Sequence, residues 1–147
     1  MKILVDADGC PVVGLTIEIA KEYGLDIIIV KNYAHEFYDS YATIITVDIS
    51  HDSADFYIVN KAEKGDIVVT QDYGLAAMAL SKGAICINQN GLIISSKNID
   101  GLLNRRHLNQ KLRREQNIYT KFKKRNAQAN LQFEENLRKL ITNTRKG

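Results

Sequence analysis

The sequence has too little cysteine to be held together by disulfides or to hold zinc through thiolates. Cys10 and Cys86 are its only two. They stand far apart, outside any Cys-x-x-Cys or Cys/His cluster, which points to a reducing compartment. Long hydrophobic runs are also missing, and none reaches the roughly 18–20 residues that span a bilayer. Met1 leads straight into a strand-like segment with neither the basic nor the apolar region of a secretory signal. A soluble, cytoplasmic protein is expected. His35, His51 and His107 lack the H-x-x-x-H type of spacing that would suggest a metal pair, and only His51 adjoins an acidic motif. No repeat or low-complexity tract interrupts the chain.

What is present fits one ordinary globular domain. The chain has 147 residues, 45% hydrophobic and 25% charged, enough to build a core. The net charge of +3 conceals a split. Residues 1–100 carry 7 Lys/Arg against 14 Asp/Glu, giving −7, while residues 101–147 carry 13 against 3, giving +10. Because local fields choose partners, an acidic body of residues 1–100 with a basic extension of residues 101–147 packed on it is the expected organisation.

Strand-like and helix-like segments alternate along the body. Lys2–Asp6, Asp26–Val30, Tyr41–Ile49, Ile67–Thr70 and Ala84–Asn88 read as strands, with a short extra one at Leu92–Ile94. Between them, helices are expected after Pro11 up to Gly24, from Asp52 or Ser53 to about Glu63, and over Tyr73–Lys82, each followed by a glycine stop signal. Such alternation predicts an α/β fold with an open parallel sheet of about five strands, in the order 3-2-1-4-5, flanked by helices. Beyond Asn98 the pattern is helical only. Leu108, Leu112, Tyr119 and Phe122 can share one face, and Phe133, Leu137, Leu140 and Ile141 another, predicting a C-terminal helical pair broken near Asn126–Asn130.

Five aspartates fall where this topology brings strand ends together: Asp6 and Asp8 in VDADGCP, Asp52 and Asp55 in HDSAD, and Asp72 in VVTQD. The carboxyl ends of parallel strands form the ligand crevice of such sheets. Carboxylates crowded there repel unless a hard cation such as Mg²⁺ or Mn²⁺ neutralises them. Each also has a plainer explanation. Asp6 and Asp8 could cap the following helix, and Asp52 and Asp55, three apart on a first turn, suit the helix dipole. Thr70 could orient a carboxylate or a metal-bound water through its hydroxyl. Asp48 ends the third strand, away from the switch point, and Asp66 precedes its strand, so it belongs to a turn at the opposite edge.

Cys10 could be an activated thiol at a helix N-terminus, but the aspartates around it oppose ionisation, so a small buried side chain is expected. Among the cations of the extension, Arg105, Arg106, Arg113, Arg114, Lys123 and Lys124 are interleaved with Tyr119 and Phe122. They could contact a phosphate backbone, form a solvated helical face, or neutralise the acidic body.

DADGCPV at 6–12, DSAD with Ile58-Val59, GDIVVTQDYGLA at 65–76 and the stretch from Arg106 to Arg113 together resemble the YaiI/YqxD family of uncharacterised bacterial proteins, over nearly the whole chain. The resemblance implies a PIN-like α/β fold. VVTQDYGLAAMAL is similar to the Thr-x-Asp-x-x-Leu-Ala segment of PIN-domain nucleases, which implies metal-binding roles for Asp6 and Asp72. Those nucleases usually carry another acid on a central helix, where Asp55 or Asp52 is the nearest counterpart. They commonly have one more after the fifth strand, where this chain has Asn88-Gln89-Asn90.

The expected activity is therefore that of a Mg²⁺- or Mn²⁺-dependent phosphodiesterase, ribonuclease-like. Asp6, Asp8 and Asp72 would hold the ion, and Asp55 or Asp52 would complete the shell or orient water. Two alternatives stand beside it. One is a non-catalytic RNA-binding module. The other is a phosphatase of the haloacid-dehalogenase type, suggested by Asp6-x-Asp8 after a strand and opposed by Gly65-Asp66 preceding its strand rather than following it.

Overall fold

The structure, a computed structural model, describes residues 1–32, 36–48, 53–105 and 125–146. Among the described residues, six strands form one sheet: β1 (Lys2–Asp6), β2 (Asp26–Asn32), β3 (Thr43–Val47), β4 (Ile67–Val69), β5 (Ile85–Ile87) and β6 (Ile93–Ile94). Their order is β3-β2-β1-β4-β5-β6. All neighbours are parallel except β5 and β6, so the expected order stands, with the short sixth strand added antiparallel at one edge. The helices are α1 (Val13–Glu22), α2 (Ser53–Lys61), α3 (Tyr73–Ser81), α4 (described over residues 99–105) and α5 (Ala127–Lys146).

The apolar strands are continuous because both faces of the sheet are covered. Side chains alternate along β1. Ile3 and Val5 enter a core with Ile17, Ile19 and Ala20 of α1 and Phe133, Leu137 and Ile141 of α5. Leu4 points to the other face, among Ile58 of α2, Leu75, Ala76 and Ala79 of α3, and Ile99 and Leu102 of α4. The expected apolar face of the last helix is therefore the one it buries, with Leu140 packed at its margin. Of the helical region expected beyond Asn98, residues 99–105 form α4, and the apolar face expected from Leu108, Leu112, Tyr119 and Phe122 lies outside the described residues.

The core packing lays α5 on the face of the sheet that α1 covers, with its first turns at the β5–β6 turn. Gly91, in the turn between β5 and β6, has φ +87°, and a Cβ there would lie 2.8 Å from the carbonyl oxygen of Gln132. Only glycine allows both the left-handed backbone and that close approach. Asn136 Nδ2 donates to the Gly91 carbonyl at 2.7 Å, and Arg138 pairs with Glu22 at 2.7 Å, tying the same helix to the end of α1.

Local boundaries shift where turn chemistry overrides strand propensity. Thr70 lies just beyond β4, because its hydroxyl accepts from the Asp72 N–H at 2.9 Å and bends the chain into α3. Helix α1 begins at Val13 rather than directly after Pro11, with Val12 as its N-cap residue and, among the described residues, no side-chain cap. Asp6 and Asp8 therefore do not cap it, which removes the plainer explanation for that pair.

Candidate active site at the C-terminal rim

Asp6 is the last residue of β1 and sits beside the β4 exit, since Val5 is in register with Val69. The Thr70 hydroxyl, on a residue 2% exposed, donates to Asp6 Oδ2 at 3.0 Å while accepting from the Asp72 backbone. One threonine thus joins the two strand exits that flank the topological switch point.

The Asp6 carboxyl is pushed up to about 6. Burial is the main cause, followed among the raising influences by the negative fields of Asp55, Asp72 and Asp8, while the Thr70 hydrogen bond opposes them. Three of the aspartates singled out in the sequence thereby act on a fourth, Asp6. Asp55, in the first turn of α2, exerts the strongest of the three repulsions. Asp8 accepts from the Asn32 N–H at 3.4 Å, at the end of β2.

Asp72 has a second role that the sequence pattern did not reveal. It is the N-cap of α3, with Oδ1 accepting from the N–H groups of Gly74 at 2.9 Å and Leu75 at 3.2 Å. A signal for it exists, because Asp immediately before an apolar helix is a strong cap. Asn88, just beyond β5, is buried and serves the β5–β6 turn, its Oδ1 accepting from the N–H groups of Asn90 and Leu92.

Asp66 lies at the opposite edge. It accepts from the Lys2 N–H at 3.1 Å, from Lys2 Nζ at 2.6 Å and from the Glu63 N–H at 2.8 Å. The turn role expected for it is present, and the ion pair with Lys2 is an addition that sequence distance concealed. Asp52 lies outside the described residues, as do Arg106, Arg113, Arg114, Lys123 and Lys124. Arg105 is exposed at the described end of α4.

The donor set is wholly oxygen, the chemistry preferred by Mg²⁺ and Mn²⁺. Among the described residues, no three His, Cys, Asp or Glu side chains surround a single point as metal ligands. The carboxylates repel through space without forming a closed cage. Cys10, partly buried against the apolar core, has its thiol raised mainly by burial and further by Asp6, and burial pushes Cys86 up to about 12, so neither thiol is poised as a nucleophile. Among the described residues no helix is long and apolar enough to cross a membrane.

The fold and rim define an open α/β protein with a partly buried carboxylate at its switch point. The chain belongs to the family described as "Uncharacterized BCR, YaiI/YqxD family", whose model matches residues 4–143. Its relatives include the UPF0178 protein of Alkaliphilus oremlandii (strain OhILAs), 55% identical over 91% of this chain and 86% of the relative. The UPF0178 protein of Natranaerobius thermophilus is 47% identical over 96% of both chains, and that of Ruminiclostridium cellulolyticum is 50% identical over 93% of this chain and 90% of the relative. No solved structure matches the chain.

Proposed function

We propose that the chain is a Mg²⁺- or Mn²⁺-dependent phosphodiesterase of PIN-like fold, ribonuclease-like, acting at the Asp6 rim. The observation that carries this reading is the Asp6 carboxyl, buried at a strand exit, fixed by Thr70 and pushed up to about 6 by burial and three other carboxylates. An isolated structural aspartate would gain nothing from such neighbours, whereas a cation site uses them. Mg²⁺ commonly takes only one or two protein carboxylates, keeps several waters and completes its shell with substrate phosphate. The open arrangement of the rim suits that mode.

A bound ion would acidify a water and stabilise charge developing on the non-bridging phosphate oxygens. Asp6, Asp8 and Asp72 would hold it, with Asp55 or Asp52 completing the shell or orienting water. Thr70 would fix the Asp6 carboxylate by its hydrogen bond. Incubating RNA with the protein and Mn²⁺ should give hydrolysis that EDTA abolishes and that Asp6→Asn reduces by a factor on the order of 100 or more, the scale on which removal of charge stabilisation acts. Hydrolysis that survives EDTA or the substitution counts against the reading.

A second reading, a non-catalytic RNA-binding module, is favoured by the capping role of Asp72 and the turn role of Asn88. Both readings use the basic extension. Replacing Arg113, Arg114, Lys123 and Lys124 by Gln should weaken RNA binding and flatten its salt dependence by about 0.7 in log–log slope for each phosphate no longer neutralised. Filter binding across several salt concentrations measures this, and an unchanged slope would assign those cations to another role. Among the described cations, Arg138 and Arg145 instead bind the body, at Glu22 and at the Tyr23 carbonyl.

A further inference from the structure

Beside the acidic rim, an open groove of about 770 Å³ runs from Gly9 and Gln71 to the first turns of α5. Its lining is dominated by amide side chains, including Gln71, Gln89, Asn90, Gln128 and Gln132, and among the described residues Arg125 is its one charged side chain. Amides present a donor and an acceptor together, the pattern displayed by the edges of nucleobases. The volume lies within the range of sites for small organic ligands.

Two further observations point to a ligand. The Gln89 side-chain oxygen is buried and has no hydrogen-bond partner among the described residues, so turning that amide outward onto a donor in the groove would be favourable. The Arg125 guanidinium is held in place by Asn90 at 2.9 Å, by Asn130 at 2.6 Å and by the Gln89 carbonyl. A guanidinium fixed in this way is pre-organised, with further N–H groups to offer. Arg125 also acts electrostatically on Cys10, which adjoins the rim, so the groove and the aspartate cluster are neighbouring parts of one surface.

We infer that this groove seats nucleotides of a single-stranded polynucleotide next to the phosphodiester held at the Asp6 rim, with its amides reading base edges and Arg125 meeting a phosphate. The inference rests on the proposed function for the position of the phosphodiester, but the groove makes its own contribution to binding. Base edges rather than phosphates dominate because the lining amides are neutral. An unpaired strand also exposes its Watson–Crick edges to these amides, which a duplex keeps occupied.

The test uses the full chain in EDTA, so that binding is read without hydrolysis, and a fluorescein-labelled oligoadenylate dodecamer followed by anisotropy. The triple variant Gln71→Ala, Gln128→Ala, Gln132→Ala should weaken binding roughly tenfold or more, as expected when hydrogen bonds to base edges are removed. An abasic strand of equal length should bind wild type and variant alike. DNA and RNA versions of the dodecamer distinguish the two sources of the same base chemistry. No binding of oligoadenylate by the wild type, an unchanged affinity in the variant, or an equal loss with the abasic strand overturns the groove assignment. Groove-dependent binding without Mn²⁺-dependent hydrolysis would sink the nuclease reading alone, and hydrolysis with groove variants unaffected in binding would sink the groove alone.

Discussion

Asp6→Asn is expected to stabilise the protein at pH 7.5 while cutting hydrolysis by a factor on the order of 100 or more. The Asp6 carboxyl titrates at about 6 in the folded chain and near 3.9 when unfolded. Its folded pKa is raised, so its favourable contribution is complete below about pH 4 and is lost as pH climbs through 6. A gap of roughly two units corresponds to about 3 kcal/mol at neutral pH. Asparagine removes the ionisation and still accepts from Thr70, so a gain of about 2 kcal/mol is expected at pH 7.5, with the gain vanishing near pH 4. Urea unfolding at the two pH values measures it. A variant less stable than wild type at pH 7.5 would mean that the carboxylate is compensated within the fold and that the site is not strained.

Asp66→Ala should have the opposite pair of effects. Asp66 is 3% exposed and accepts three hydrogen bonds, two of them from Lys2. Removing one partner of a buried ion pair costs about 3–5 kcal/mol, a large part of the stability of a domain this size. Asp66→Asn, which keeps an acceptor, should lose less. Because β1 separates Lys2 from Asp6 by four residue steps, or roughly 13 Å, the metal response and hydrolysis should persist in whichever variant remains folded. Loss of hydrolysis in folded Asp66→Asn would show that the two edges are coupled.

These two aspartates show what the sequence could and could not convey. Parallel topology was legible from the alternation of apolar strands and glycine-ended helices, and it sorted Asp6 from Asp66, since one follows its strand and the other precedes it. Strand order then put Asp72 beside Asp6. The ion pair of Asp66 with Lys2 was invisible, because 64 residues separate them and only the β1–β4 register joins them. The strength of the Asp55 contribution was equally hidden, since the angle at which α2 crosses the sheet depends on packing of Ile58 and its neighbours rather than on local pattern. The amide groove had no periodic signature at all. It forms where α5 meets the β5–β6 turn, a junction set by Gly91 and the burial of Phe133.

The direct test of a cation site at Asp6 is Mn²⁺ titration by calorimetry of wild type and Asp6→Asn, at pH 5.5 and 7.5. Because an ion must displace the proton held by a carboxyl at about 6, wild-type affinity should rise with pH. Asp6→Asn should bind roughly tenfold or more weakly at pH 7.5 and lose most of that pH dependence. Equal Mn²⁺ affinity in the two proteins, with the same pH response, would contradict a metal site built on Asp6.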